Sequence, residues 1–180
     1  MLWTRLKASK TAIVLNNTLY MWGENAWGQL GNNTSENNSV PIKLGTLTDW
    51  SNTGNYKIAA GGLSANAIKT DGTLWAWGSN VFGQLGDGTT VNKSSPVQVG
   101  TLTSWSQVSA GSSRALAIKT DGTLWAWGAG ASGQLGDGTT VNRSSPVQIG
   151  TLTNWSQVSS GSINGYAIKT DGTLWSWLIS

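Results

Sequence analysis

Tryptophan recurs in this chain at a fixed interval. Trp77, Trp127 and Trp177 stand 50 residues apart, and Trp105 and Trp155 keep the same spacing. A period of that length means one supersecondary unit copied and stacked, each copy too small to bury its own apolar face. Trp22 to Trp77 spans 55 residues, and the extra five fit at 51–55, between Trp50 and Tyr56. The best-kept part of the unit is 117–128, an apolar run, a turn at Asp121-Gly122, and a second apolar run. It returns at 67–78 and 167–177, and in worn form at 12–23, where Asn16-Asn17 stands in place of Asp-Gly. Asp-Gly between β-prone runs is a strong hairpin signal, because glycine accepts the positive φ such turns need.

One full unit, 106–155, reads as four short strands in about 50 residues, the composition of a propeller blade. Gly, Thr, Asn and Ser interrupt every window before two helical turns could form. Alternation in Leu124-Trp125-Ala126-Trp127 puts both tryptophans on one face, and Leu with Ala on the other. Both faces are apolar, so a lone sheet would be insoluble and stacked sheets would bury both. The predicted fold is therefore all-β, an incomplete β-propeller of four-stranded blades, with tryptophan serving the core first. The units are 1–50, 51–105, 106–155 and 156–180.

Composition narrows the chemistry. The chain has no Cys and no His, which removes disulfides, thiolate metal sites and the commonest general base. Only 11% of residues are charged, and the net charge of +3 comes from scattered side chains, the nearest cluster being Arg5, Lys7 and Lys10. Nucleic-acid binders concentrate Lys and Arg on one face, so this pattern disfavours nucleic acid. No run approaches the length of a membrane helix, and 11–15 is too short for a signal core. The compartment stays unassigned.

No catalytic constellation emerges. The stretch 128–133 has the spacing of a dinucleotide fingerprint, but Gln134-Leu135-Gly136-Asp137-Gly138 follows where a helix would have to begin. Asp71, Asp121 and Asp171, and likewise Asp87 and Asp137, each offer one carboxylate per turn, too few for calcium and well suited to Asx turns. No paired carboxylates, no Ser-His-Asp set and no Lys in an apolar pocket motif are seen, so the expectation is a non-enzyme with no cofactor and no metal.

Strand parity locates a binding face. With the Thr-Asp-Gly turns on a lower rim, 61–64, 111–114 and 161–164, and 23–40, 78–95 and 128–145, fall on an upper rim. The lower turns are uniform, and the upper loops differ between copies. Loops on a rigid scaffold usually carry recognition, and aromatics with Arg dominate interface anchors. The candidate partner-binding residues are Trp27, Phe82, Arg114 and Tyr166.

Three further motifs complete the pattern. Gly28-Gln29-Leu30-Gly31, Gly83-Gln84-Leu85-Gly86 and Gly133-Gln134-Leu135-Gly136 each follow a Leu-aromatic-x-Trp-Gly strand and precede a Pro-Val-Gln or Pro-Ile-Lys strand. Over nearly its whole length the chain resembles the regulator of chromosome condensation repeat family. The resemblance implies a seven-bladed propeller in complete members. Those members include a guanine-nucleotide exchange factor for a small GTPase, inhibitors of β-lactamases, an ultraviolet photoreceptor, and bacterial and phage binding modules. It fixes fold better than activity. The family's His after the loop glycine is replaced by Ser64, Arg114 and Asn164, so any role of that His is absent.

The functional expectation is a non-catalytic scaffold that binds a protein or other macromolecule through one rim. The alternatives are a GTPase-regulatory propeller, and a hydrolase or lyase with its site at the axis. The copies amount to about 3.5 blades, which leaves sticky edges. A fragment of a longer propeller, a free-standing arc, and a homodimer completing one ring all remain open.

Overall fold

The computed structural model describes residues 12–52, 57–162 and 164–177. Every regular element among them is a strand. The basic residues Arg5, Lys7 and Lys10 and part of the 51–55 insert lie outside the described residues.

Fourteen strands form four antiparallel sheets in chain order. The first sheet holds β1 (Ala12–Leu15), β2 (Thr18–Gly23) and β3 (Asn38–Lys43). The second holds β4 (Ile58–Ala60), β5 (Ser64–Ile68), β6 (Leu74–Gly78) and β7 (Lys93–Gln98). The third repeats it with β8 (Trp105–Ala110), β9 (Arg114–Lys119), β10 (Leu124–Gly128) and β11 (Arg143–Gln148). The fourth holds β12 (Trp155–Ser160), β13 (Gly165–Lys169) and β14 (Leu174–Trp177). Strands β8 and β12 each pack against the first two strands of the sheet before them, so the first strands converge on one side. This is the expected incomplete propeller.

The end sheets are incomplete in opposite ways. Among the described residues the first lacks a strand on the converging side, and the last lacks an outer one. Each end sheet thus shows three of the four blade strands among the described residues.

The sheets stack as alternation demands. Trp127, Trp105, Ala115 and Ala117 of the third sheet bury themselves against Ile68, Leu74, Ala76 and Val99 of the second. Leu124 and Ala126 turn the other way, into a core shared with Trp155, Val158 and Ala167. Large aromatic groups meet small and branched ones, the complementarity that close packing of a core requires. The far face of the last sheet has no neighbour among the described residues. Leu174 is 66% exposed there, whereas its counterpart Leu124 is 0% exposed.

The hairpin turns explain the recurring Thr-Asp-Gly. Lys119 N–H donates to Thr123 O and Gly122 N–H to Lys119 O, a three-residue turn that ends on a left-handed glycine with φ 76°. The first copy differs from its expected reading. Asn16 and Asn17, at φ 49° and 58°, form a two-residue turn between the paired Leu15 and Thr18. They replace all of Thr-Asp-Gly, not Asp-Gly alone, and Asn tolerates the positive φ that both positions require.

The inner strand has a weak point where the extra residues sit. In the third and fourth sheets the register slips between Trp105 and Gln107 and between Trp155 and Gln157, a β-bulge. In the second sheet Trp50 bridges Lys69, but regular pairing resumes only at Ile58. Insertion at a bulge spares the ladder on either side.

Candidate functional site

The upper-rim loops are built around Gln and Asn side chains. Gln29 Oε1 accepts the Trp27 N–H at 2.8 Å, Gln84 Oε1 accepts the Phe82 N–H at 2.9 Å, and Gln134 Oε1 accepts the Ser132 N–H at 2.7 Å. Each glutamine thus grips the backbone of the residue two places before it and leaves that side chain outside. Trp27 is 43% exposed and Phe82 is 42% exposed. Beneath them, buried Asn25 and Asn80 tie the loop together. Asn80 Nδ2 donates to Asp87 Oδ1 and to the carbonyls of Thr89 and Val91, and its Oδ1 accepts the Leu85 N–H. A loop held by so many bonds displays its aromatic side chain in a fixed place, and this lowers the entropy lost on contact with a partner.

The third loop is wired differently. Gly130 stands where Asn25 and Asn80 stand in the other copies, and a Cβ there would come 2.1 Å from Val141 O. Asp137 is held instead by Arg143, whose Nε donates to Asp137 Oδ2 at 2.8 Å. Burial by itself raises the Asp137 pKa. Hydrogen bonds from Thr139 and Arg143 outweigh it and hold the carboxyl below its usual range.

The four predicted anchor residues are not brought together. Trp27 and Phe82 occupy matching places on adjacent sheets and point to solvent. Arg114 opens β9 at the upper rim but is only 2% exposed, so it is not a surface group. Burial lowers its pKa, yet a guanidinium stays charged. Tyr166 is half-buried and lines a groove on the free face of the last sheet with Val158, Ile168 and Leu174. Strand parity turns it sideways, off the rim. Reading these positions as loop residues concealed both outcomes, because each begins or lies within a strand.

The lower rim shows why the turn residues repeat. Asp121 Oδ1 accepts the Thr123 N–H at 3.0 Å and the Thr123 hydroxyl at 2.6 Å, and Thr123 Oγ1 in turn accepts the Trp125 indole N–H at 2.8 Å. Asp71 and Asp171 repeat the arrangement. These carboxylates are therefore occupied by turns. No group of three potential metal-ligating residues occurs among the described residues.

No lysine-pocket motif is legible in the sequence, yet the structure buries one lysine among indoles. Lys69 is 7% exposed, with Nζ 4.2 Å from the Trp75 ring centre, 5.4 Å from the Trp50 ring centre and 3.2 Å from Asp49 Oδ2. Lys169 sits in the same way over Trp155 and Trp175. The stem is buried by indole and the ammonium is drawn to the ring faces, an arrangement that holds the turn to the core. The alternation of Ile68-Lys69 with Trp75 was the available signal.

A concave cleft of about 310 Å³ lies where the first strands converge, lined by Ile58, Ala59, Ala60, Ser109, Ala110 and Ser160, without a carboxylate. Among the described residues no helix is long and apolar enough to cross a membrane.

Sequence comparison accounts for this repeated wiring. The profile described as "Regulator of chromosome condensation (RCC1) repeat" matches residues 16–62, 71–118 and 121–166. The chain belongs to the RCC1 repeat family. It is similar to the Ultraviolet-B receptor UVR8 of Arabidopsis thaliana, with 38% identity over 88 residues, covering 49% of this chain and 19% of the receptor. The RCC1 chain thus spans about a fifth of that curated relative's length. Two solved structures share its fold. Human WBSCR16 superposes with a TM-score of 0.77 at 24% identity, over 91% of this chain and 43% of that one. Prp20p of Saccharomyces cerevisiae gives 0.74 at 19% identity, over 94% and 43%. The RCC1 signature Gly-Gln-Leu-Gly gains a physical meaning here: glycines turn the loop, Gln clamps it, and Leu enters the core.

Proposed function

We propose that this RCC1-repeat chain is a non-catalytic scaffold that binds a protein or other macromolecule through its upper rim. Trp27 and Phe82 are the principal anchors. Tyr166 contributes from the adjoining sheet face, and Arg114, 2% exposed, makes no contact with the partner in this reading. The observation that carries this reading is the pair of aromatic side chains held out at matching positions by Gln29 and Gln84. Exposed aromatics on rigid loops are the usual currency of interface hot spots. Prp20p of Saccharomyces cerevisiae has binding properties toward Gsp1p and histones, which makes those proteins reasonable probes.

The test compares wild type with the Trp27→Ala, Phe82→Ala double variant. Both side chains are solvent-facing, so circular dichroism and melting temperature should agree between the two. Binding of Gsp1p, of core histones and of cross-linked cellular partners is then quantified. Loss of a defined partner at least tenfold in affinity supports the reading. Equal binding of every partner by both proteins overturns it.

The GTPase-regulatory alternative calls for a basic protruding loop. The upper-rim cations Lys93 and Arg143 are engaged with Asp87 and Asp137, and Arg114 is buried. The hydrolase or lyase alternative calls for carboxylates at the axis, and the cleft there is lined by serine, alanine and isoleucine.

A further inference from the structure

Among the described residues, three buried donors find no acceptor at the junction of the third and fourth sheets. Arg114 is 2% exposed, and its Nε and Nη2 have no hydrogen-bond partner among them. Ser160 Oγ is likewise buried without one. The two residues flank Gly111, where an added Cβ would lie 2.6 Å from Ser160 Oγ and 3.5 Å from Arg114 Cγ. The backbone carbonyl of Gly161, 2.5 Å from that position, also requires a glycine there. An unpaired buried guanidinium is among the costliest groups a fold can carry.

The orphaned pair is chemically specific. Nε and Nη2 share one edge of the guanidinium, the edge that grips a carboxylate side-on. Arg143, in the same sheet, uses this edge, with Nε and Nη2 both 2.8 Å from Asp137 Oδ2. Arg114 presents the same edge with no Asp or Glu against it among the described residues. Its counterparts in the neighbouring sheets are Ser64 and Asn164, so the feature belongs to one junction only.

We propose that the Arg114 guanidinium edge and the Ser160 hydroxyl form a carboxylate-binding site at the upper end of this junction. The ligand is either a free small carboxylate or an Asp or Glu side chain, which share the chemistry. The site does not depend on the rim aromatics, and their removal leaves it intact.

The test uses the full chain labelled with nitrogen-15. It has three arginines, Arg5, Arg114 and Arg143, so the Nε–H resonances are few, and the one lost in Arg114→Gln identifies Arg114. Chloride is replaced stepwise by acetate at constant ionic strength. The expected result is a saturable shift of the Arg114 resonance, with affinity about fivefold weaker in Ser160→Ala. Acetate should also raise the melting temperature of wild type but not of Arg114→Met. A blocked Gly-Asp-Gly peptide saturating at lower concentration than acetate assigns the site to a side chain, and the reverse assigns it to a free carboxylate. No shift, a drift that never saturates, or an equal thermal response in Arg114→Met overturns the proposal. If Arg114→Met does not fold, the wild-type titration alone decides.

Discussion

Trp127 donates its indole N–H to the backbone carbonyl of Gln84, 3.1 Å away and 43 residues earlier, across the gap between two sheets. Trp77 makes the same bond to Gln29, and Trp177 to Gln134, each at 3.0 Å. One hydrogen bond, made three times, keys each sheet to the loop of the sheet before it. Trp22 has no such acceptor among the described residues. Replacing Trp127 with Phe should keep most of the apolar burial and strand a buried carbonyl. The expected cost is about 1–3 kcal/mol in urea unfolding, and clearly less for Trp22→Phe.

The same indole sets a limit on the loop. Gly86 has φ 73°, and a Cβ there would lie 2.7 Å from Trp127 Nε1. Gly86→Ala should therefore combine backbone strain of about 1 kcal/mol with a clash against a packed ring, lowering stability by more than about 2 kcal/mol. Gly100, at φ 58° with nothing within 4 Å, supplies the control. Gly100→Ala carries the strain alone, about 1 kcal/mol, and thermal unfolding of the two variants separates the effects.

Acid should weaken the fold through its turn carboxylates. The Thr73 and Thr123 hydroxyls, followed by the amides of the same residues, hold the Asp71 and Asp121 pKa values below normal. At Asp137 the bonds from Thr139 and Arg143 prevail over burial in the same direction. A depressed folded pKa contributes stability that is complete above the unfolded value of about 4 and is lost as pH falls through the folded one. Stability should be flat from neutrality to about pH 5 and decline below pH 4. In Asp137→Asn that decline should be shallower, with lower stability at neutral pH, as read from melting temperature against pH.

Leu174 and Leu124 hold the same repeat position in opposite surroundings, one exposed and the other fully buried. Leu124→Lys should abolish folding by burying a charge. Leu174→Lys should leave the melting temperature nearly unchanged and reduce self-association, measured as solution mass by light scattering over a range of concentrations. An unaltered concentration dependence would mean that the free face of the last sheet is not the sticky one.

Some of this architecture is plain in the order of residues. Asp121 and Thr123 act within a three-residue turn, so their bonds follow from local spacing alone. Trp127 and Leu124 separate to opposite faces because a strand alternates. Other features depend on chain segments that meet only after folding. Nothing near Lys69 in sequence announces Trp50, and nothing near Arg114 announces Ser160. The exposure of Phe82 beside the burial of Arg114 also escapes local reading, since both look like variable loop positions. Their difference lies in which sheet stands behind them.

The period of 50 residues, the hairpin turns and the two apolar faces of every central strand were determined by sequence alone, because they rest on local geometry and on which side chains avoid water. Among the described residues, tertiary structure alone decided the partner of each keying indole, the unpaired state of the Arg114 edge and the exposure of Leu174. Those depend on distances between separate sheets, and a repeated sequence writes identical letters at junctions whose neighbours differ.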